Sequence, residues 1–563
     1  MPYSTKILSY FQNRHRGMII GLLLTVSVVY LPFINTPLFF DDLPFFSNSV
    51  SHYTEQLFRV ELRWLPYASL GWTWKMFSDT PLPLHLGNLL LHGSNTLLVF
   101  ILLQQLTDLA AHKDSPSNQS ALSNAPLSNS FFKSPANWGA WLGALCFACH
   151  PVAVYAVGYV VERSILMATL FTLAMQLAYL RGLMNQQKLQ QYFWLALSVL
   201  FYFCAVFSKE HSLMAPALLA AMTLLFKPYV QANRRILATT WLGFAFVAIL
   251  ITLKIKGVFG IAYEHDAAAL FTQQTIVTSA QNLHLLSALT QAGLFFKYLF
   301  LWLLPNPAWM SIDMRETFAS SIYEWQNWLN VAFFIGYGLI ALKLLLRRGK
   351  MGLLGFALLY PWLMFIVEFS SVRVQEPFVL YRSYLWMPGL LLLIPLVFGN
   401  LSNKKMMVVV LAIIVGLIPL SWNRLWVFAD DYRIWNDAAV LLKSDVVPGA
   451  ARIFFNRGNA ELNKLKPNEA VLDFKRVIAI DPTIEQAHQN LGSAYVGTGQ
   501  YALGLASFNN AIAINHKNGK TYFGKALTLK RLGNQVASKD ALNKSCELKN
   551  ISACLILSMS KSK

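Results

Sequence analysis

The stretch Gly17-Met18-Ile19-Ile20-Gly21-Leu22-Leu23-Leu24-Thr25-Val26-Ser27-Val28-Val29-Tyr30-Leu31-Pro32-Phe33-Ile34-Asn35, followed shortly by Phe39-Phe40-Asp41-Asp42, sets the fold class. An uncharged apolar run of this length is what one helix needs to cross a bilayer. Lys6, Arg14 and Arg16 precede it. By the positive-inside bias they place the N-terminus in the cytoplasm and Asp41-Asp42 on the far side. Adjacent carboxylates at a membrane edge are costly, which makes them a functional hypothesis. A helix end standing in water is the plainer account of the same pair.

The whole chain repeats that pattern. Of 563 residues, 55% are hydrophobic and 13% charged, a balance that implies many membrane spans rather than one large soluble core. The net charge of +19 is expected to sit in cytoplasmic loops. No basic run is interleaved with aromatic residues in a soluble segment, so a nucleic-acid partner is not expected. Cys146, Cys149 and Cys204 fall in apolar segments and read as small core residues. Cys546 and Cys554 can pair only where the last helices bring them together. The first apolar run is long and no small-residue cleavage site follows it, so no cleavable signal is expected.

Spans are expected at about 17–35, 82–106, 137–157, 164–181, 191–207, 212–226, 236–255, 325–346, 351–369, 384–400 and 406–427. The Ser-, Asn- and Pro-rich region 108–136, with Lys113 and Lys133, reads as a disordered cytoplasmic linker. Residues 283–304 are apolar enough to insert. Arg347, Arg348 and Lys350 must nevertheless be cytoplasmic, so 256–324 reads as an outer loop with a re-entrant or surface helix. The fold class is therefore all-α, a polytopic helix bundle of about eleven spans. An odd count places the C-terminal region outside, and a twelfth span would place it in the cytoplasm.

From Asp430 the composition becomes that of a soluble helical domain, and a 34-residue repeat appears. Gly458 recurs as Gly492, Ala460 as Ala494, Phe474 as Phe508, Val477 as Ala511 and Ile478 as Ile512. Small residues and aromatics at these offsets are the tetratricopeptide signature. A third unit at about 519–552 keeps Ala526 and Gly533 and reads as a cap. The expected organisation is a membrane domain over 1–428, a linker helix over 429–450 and a repeat superhelix over 451–563. A superhelix of this kind commonly binds a protein partner on its concave face, or serves assembly alone.

The polar clusters fall on one predicted side: Asp41-Asp42, Arg59 to Arg63, His150, Glu162-Arg163, Lys209-Glu210-His211, and Glu376 with Arg382. His85 and His92 lie seven apart, nearly on one helix face. Their plain reading is hydrogen-bonded polar residues facing a bundle interior. Arginines and lysines suit a phosphate, and an aspartate suits general-base activation of a hydroxyl.

At these residues the chain resembles the multi-span glycosyltransferases of the GT-C type. It is most similar to the transmembrane and tetratricopeptide-containing O-mannosyltransferase (TMTC-like) group and its bacterial relatives. Phe40-Asp41-Asp42 matches the family's aspartate pair in the first outer loop. The stretch His85-Leu86-Gly87-Asn88-Leu89-Leu90-Leu91-His92 resembles its second span. His150-Pro151-Val152 through Arg163-Ser164-Ile165-Leu166 resembles its His-Pro segment and turn. Lys209-Glu210 matches its Lys-Glu pair, and Ile434-Trp435-Asn436-Asp437 its tryptophan-bearing linker helix. Two positions depart: relatives usually have an acid where Tyr155 stands and a glycine where Glu162 stands.

The resemblance implies a GT-C-like bundle and transfer of a sugar from a polyprenyl-phosphate donor to a Ser or Thr hydroxyl of an extracytoplasmic protein, such as a pilin-like surface protein. It makes Asp41 the general base and Asp42 its positioner. Arg163, Lys209 and Arg382 would neutralise the phosphate, with Glu210 orienting Lys209. Glu162, His85, His92, His150, Arg63 and Glu376 are supporting candidates. No tightly bound metal or other cofactor is expected, and the aspartate pair leaves a divalent-ion role open. The partners implied are the lipid-linked donor, membrane lipid and a protein acceptor held by the repeats. The location implied is a bacterial inner membrane with the repeats in the periplasm. A glycan or lipid acceptor, or a non-enzymatic scaffold or transporter, are the competing readings.

Overall fold

The computed structural model describes residues 2–56, 58–77, 80–111, 137–255, 282–374, 376–399 and 401–561, with side chains left out at 2–14, 403, 560 and 561. The polar linker expected at 108–136 lies outside these from residue 112 on, as does 256–281 of the expected outer loop. Among the described residues no strand forms. Helices of ten residues or more are α1 Pro2–Tyr30, α2 Trp64–Phe77, α3 Pro81–Ala111, α4 Trp138–Cys149, α5 Arg163–Met184, α6 Lys188–Ser208, α7 Ala215–Leu225, α8 Arg234–Lys254, α9 Leu283–Leu303, α10 Trp325–Leu346, α11 Gly349–Phe365, α12 Asn403–Phe428, α13 Asp431–Leu441, α14 Ala450–Asn463, α15 Pro467–Ile480, α16 Glu485–Gly497, α17 Tyr501–Ile514, α18 Gly519–Arg531, α19 Gln535–Glu547 and α20 Ile551–Lys561. They form two compact units. One comprises Met1–Ile312 and Thr317–Ala429, the other Asp313–Glu316 and Asp430–Lys563.

In the first unit nine helices among the described residues are long and apolar enough to cross a membrane, or eleven if each of two bent pairs is one span. Helix α8 shows why sequence alone flags them. Phe244, Val247 and Ile251 face the core, yet Leu242, Phe246, Ile249 and Leu253 on the outer face are also apolar. A helix apolar all round needs an apolar surrounding on every side.

Several expected spans are differently built. The segment expected at 137–157 breaks at His150-Pro151 with a bend of 47°. Pro151 has no N–H to continue α4, and His150 turns extended there. The segment at 384–400 is likewise bent, by 58° between Leu380–Trp386 and Leu390–Phe398. The span expected at 212–226 is corrected: a 3-10 turn, Glu210–Met214, leads into α7, which has only 11 residues. Residues 283–303 form one unbroken 21-residue helix, itself long and apolar enough to cross. Ser287, Gln291, Tyr298 and Trp302 along α9 hydrogen-bond in turn to Ser371, Pro377, Val379 and Ser383. The helix thus runs along the single segment that follows α11.

In the second unit α14–α15, α16–α17 and α18–α19 are successive hairpins whose second helices begin at Pro467, Tyr501 and Gln535, 34 residues apart. The repeat's small residues have a direct use. A Cβ on Gly458 would stand 3.0 Å from the Phe474 ring, and one on Gly492 would stand 2.9 Å from Phe508. Each aromatic ring therefore packs onto bare backbone of the partner helix. In the third hairpin Ala526 and Leu542 take the places of the glycine and the ring and pack in one core. Cys546 and Cys554 form a disulfide that ties α20 to α19. Helix α13 packs on α14. It starts near residue 433, where the second helix of a preceding repeat would begin.

Candidate active site

The site is organised by the turn 157–162, between the broken α4 segment and α5. Three groups clamp it. Asp42, fully buried, accepts a hydrogen bond from Val161 N–H at 2.8 Å. Asn88 Nδ2, on α3, donates toward the carbonyls of Val157, Tyr159 and Val160 at 3.3–3.4 Å. The Tyr159 hydroxyl accepts the Asp41 backbone N–H at 3.0 Å. The two aspartates therefore do different work. Asp42 is turned inward onto backbone, where burial pushes its carboxyl up to about 8 against the pull of those N–H groups. Asp41 presents its side chain to the exterior. The preceding residue, Phe40, has φ 54°, a left-handed conformation costly for a bulky side chain. That kink turns the chain into the helical turn begun by Asp41 and Asp42, in which neighbouring side chains diverge, one buried and one exposed.

Beyond the turn lies a chain of paired charges. Lys209 Nζ is 3.0 Å from Glu162 Oε2 and 3.2 Å from Ser164 Oγ, and stands over the Tyr381 ring. Arg63 forks onto both oxygens of Glu210. Like Phe40, it has a left-handed backbone, φ 60°. Glu368, fully buried, faces His211 Nε2 at 3.0 Å and Arg382 Nη1 at 2.9 Å, with Arg373 at 4.0 Å. Each of these charges has an opposite charge beside it, which offsets a desolvation cost of several kcal/mol per ion. Burial lowers the Lys209 ammonium from its ordinary value, against the opposing pull of Glu162. Tyr159 stands within electrostatic reach of Asp41, Asp42, Tyr381 and Glu162, so it joins the aspartate pair to this network.

Some expected roles move. Glu210 is spent on Arg63, and Glu162 orients Lys209 instead. Arg163 is enclosed by neutral acceptors, Asn88 Oδ1 at 2.9 Å, the Leu84 carbonyl at 2.7 Å, Ser69 Oγ at 3.3 Å and Thr73 Oγ1 at 3.5 Å. Gly87 makes its room: a Cβ there would meet Nη2 at 2.5 Å. Arg163 thus braces α2 against α3 and, with four acceptors in place, has little left to offer a phosphate. His85 bonds Thr36, and His92 bridges the Tyr384 hydroxyl and the Ala148 carbonyl. His150 caps the short helix after α4 through Val152 N–H and stacks on Trp302. These three histidines hold helices together. Glu376 is half-buried and within electrostatic reach of Tyr381 and Arg382. Among the described residues no group of three or more His, Cys, Asp or Glu is placed to hold a metal ion.

Sequence reasoning gave no role to Tyr159, Glu368 or Tyr381, and named Asn88 and His211 only within a longer motif and a polar cluster. Glu368 carried a usable signal, an acid closing a long apolar run. Tyr159 carried none, since its importance lies in what surrounds it.

A tetratricopeptide repeat family model matches residues 485–518, which are α16, α17 and the turn after them. No curated protein matches the chain. Among solved structures, the first tetratricopeptide domain of Spaghetti (RPAP3) bound to an HSP90 peptide is 23% identical, covering 20% of this chain and 94% of that one at TM-score 0.19. A MamA crystal structure is 17% identical, covering 27% and 82% at TM-score 0.20. The APC/C hetero-tetramer Cut9-Hcn1 is 13% identical, covering 75% and 89% at TM-score 0.23. All three scores are too low to say anything about the whole fold. Tetratricopeptide repeats as a class form protein-binding surfaces.

Proposed function

We propose that the chain is a GT-C-type membrane glycosyltransferase that moves a sugar from a polyprenyl-phosphate donor to a Ser or Thr hydroxyl of an extracytoplasmic protein recruited by the repeats. One observation carries this reading. An outward-facing carboxylate, Asp41, is set by a strained backbone beside a turn whose far end opens onto Lys209 and, through it, the arginine network. A scaffold has no need of that arrangement. In the proposed reaction Asp41 takes the proton of the acceptor hydroxyl. The hydroxyl oxygen bonds the anomeric carbon, and the bond from that carbon to the phosphate oxygen breaks. The lipid phosphate leaves with the electron pair and the sugar configuration inverts. Lys209 and Arg63, with Arg382 behind them, stabilise the departing charge. Each is held by a glutamate, so each is aimed before the donor arrives. The all-apolar outer faces of α8 and its neighbours support a bilayer setting, and the Cys546–Cys554 disulfide suits an oxidising compartment such as the periplasm.

The test is intact-mass spectrometry of envelope proteins from cells carrying the native chain, Asp41→Asn, or neither. A sugar-sized mass present only with the native chain is the expected result. Full modification in cells making normal amounts of Asp41→Asn would sink the assignment.

A further inference from the structure

The repeat unit is electrically lopsided. Residues 430–514 hold eight Lys and Arg against nine Asp and Glu, whereas 515–563 hold ten against two. The first half holds four of its eight cations in ion pairs, Arg452–Asp313, Arg457–Asp473, Lys464–Asp430 and Arg476–Asp445, and has nine carboxylates of its own to balance the rest. In the second half Lys544 pairs with Glu547. Lys517, Lys520, Lys530, Arg531, Lys539 and Lys549 are exposed and, among the described residues, make no ion pair. Like charges gathered this way repel one another, a cost that an anionic partner relieves.

The cations are interleaved with apolar side chains that the fold leaves in the open. At the α18–α19 turn, Leu532 is 45% and Val536 76% exposed beside Lys530, Arg531 and Lys539. At the other end of the same hairpin, Ser545 Oγ bonds the Gly519 carbonyl at 2.7 Å, bringing Lys520 and Lys549 to one end. Helix α20 starts there, with Ile551 76% and Leu555 53% exposed.

We propose that this last hairpin and α20 form a basic, apolar surface that seats on anionic lipid headgroups. Composition decides between lipid and protein. Protein interfaces are depleted in Lys and enriched in aromatics, whereas five of the six open cations here are lysines. Lysines flanking exposed aliphatic side chains are the pattern of a surface that lies on a charged bilayer.

The experiment is hydrogen exchange of the full chain in nanodiscs of phosphatidylcholine alone or with phosphatidylglycerol added. Amides of 530–539 and 551–559 should exchange several-fold more slowly in the anionic discs. High salt should abolish the difference, because it screens exposed charge. A variant with Lys530→Gln, Arg531→Gln and Lys539→Gln should lose most of it, while keeping the slow exchange of the buried amides in α16 and α17 that reports a folded repeat unit. Equal exchange in both discs overturns the proposal. Protection that needs an added acidic protein, and appears with neither lipid, overturns it as well.

Discussion

Asp41 and Asp42 are chemically identical neighbours with opposite fates. The Asp42 carboxyl, in its buried position, is pushed from 3.8 up to about 8. The folded state therefore binds more protons than the unfolded chain between those values. Stability from this group is fully present below about pH 4 and falls as pH rises to about 8. Asp42→Asn keeps an oxygen for the Val161 N–H and cannot ionise. It should leave the chain folded and flatten this part of the stability–pH curve, read by thermal unfolding in detergent across that range. Asp42→Ala removes the acceptor and should cost about 1–3 kcal/mol below about pH 4, the penalty of a stranded buried donor, and less as pH rises toward 8, because alanine cannot ionise either. A pH slope that survives in Asp42→Asn would place its origin elsewhere.

At the scale of elements, the turn 157–162 and the repeat hairpins are specified by opposite means. The turn has little sequence character of its own and takes its shape from Asp42 and Asn88 on other segments. The hairpins are specified locally, by a glycine facing an aromatic ring. Gly492→Leu would drive a side chain into Phe508, which is boxed in from the far side as well, since a Cβ on Gly524 would meet its ring at 2.6 Å. Overpacking of this kind costs about 1–3 kcal/mol. The repeat unit should become markedly easier to digest with protease, while the charge network of the first unit is untouched. Unchanged protease resistance would show that Phe508 has somewhere else to go.

At the scale of the molecule, the compartment facing the repeats has a chemical signature. The Cys546–Cys554 disulfide joins α19 and α20, while Cys146, Cys149 and Cys204 are free thiols. Alkylation of the purified, unfolded chain without reductant should therefore modify three of its five cysteines, and all five after reduction. Modification of all five without reductant would put the repeats in a reducing compartment and count against the proposed orientation. The short loop closed by this bond limits its contribution to about 2 kcal/mol, so Cys546→Ser should fray α20 and leave the repeats standing.

The helical class, the apolar segments and the 34-residue repeat were legible in the sequence, because periodicity and apolar run length are local properties that each segment carries in its own residues. The bends at His150-Pro151 and near Met387 and the shortness of α7 were less legible, since an apolar run reads the same whether or not it is bent. The separation of Asp41 from Asp42, the transfer of Glu210 to Arg63 and the enclosure of Arg163 were decided by tertiary structure alone. A charged side chain takes whichever partner the fold brings within about 3 Å. In a buried site that choice is enforced by the cost of leaving any charge without a counter-charge or hydrogen-bond partner.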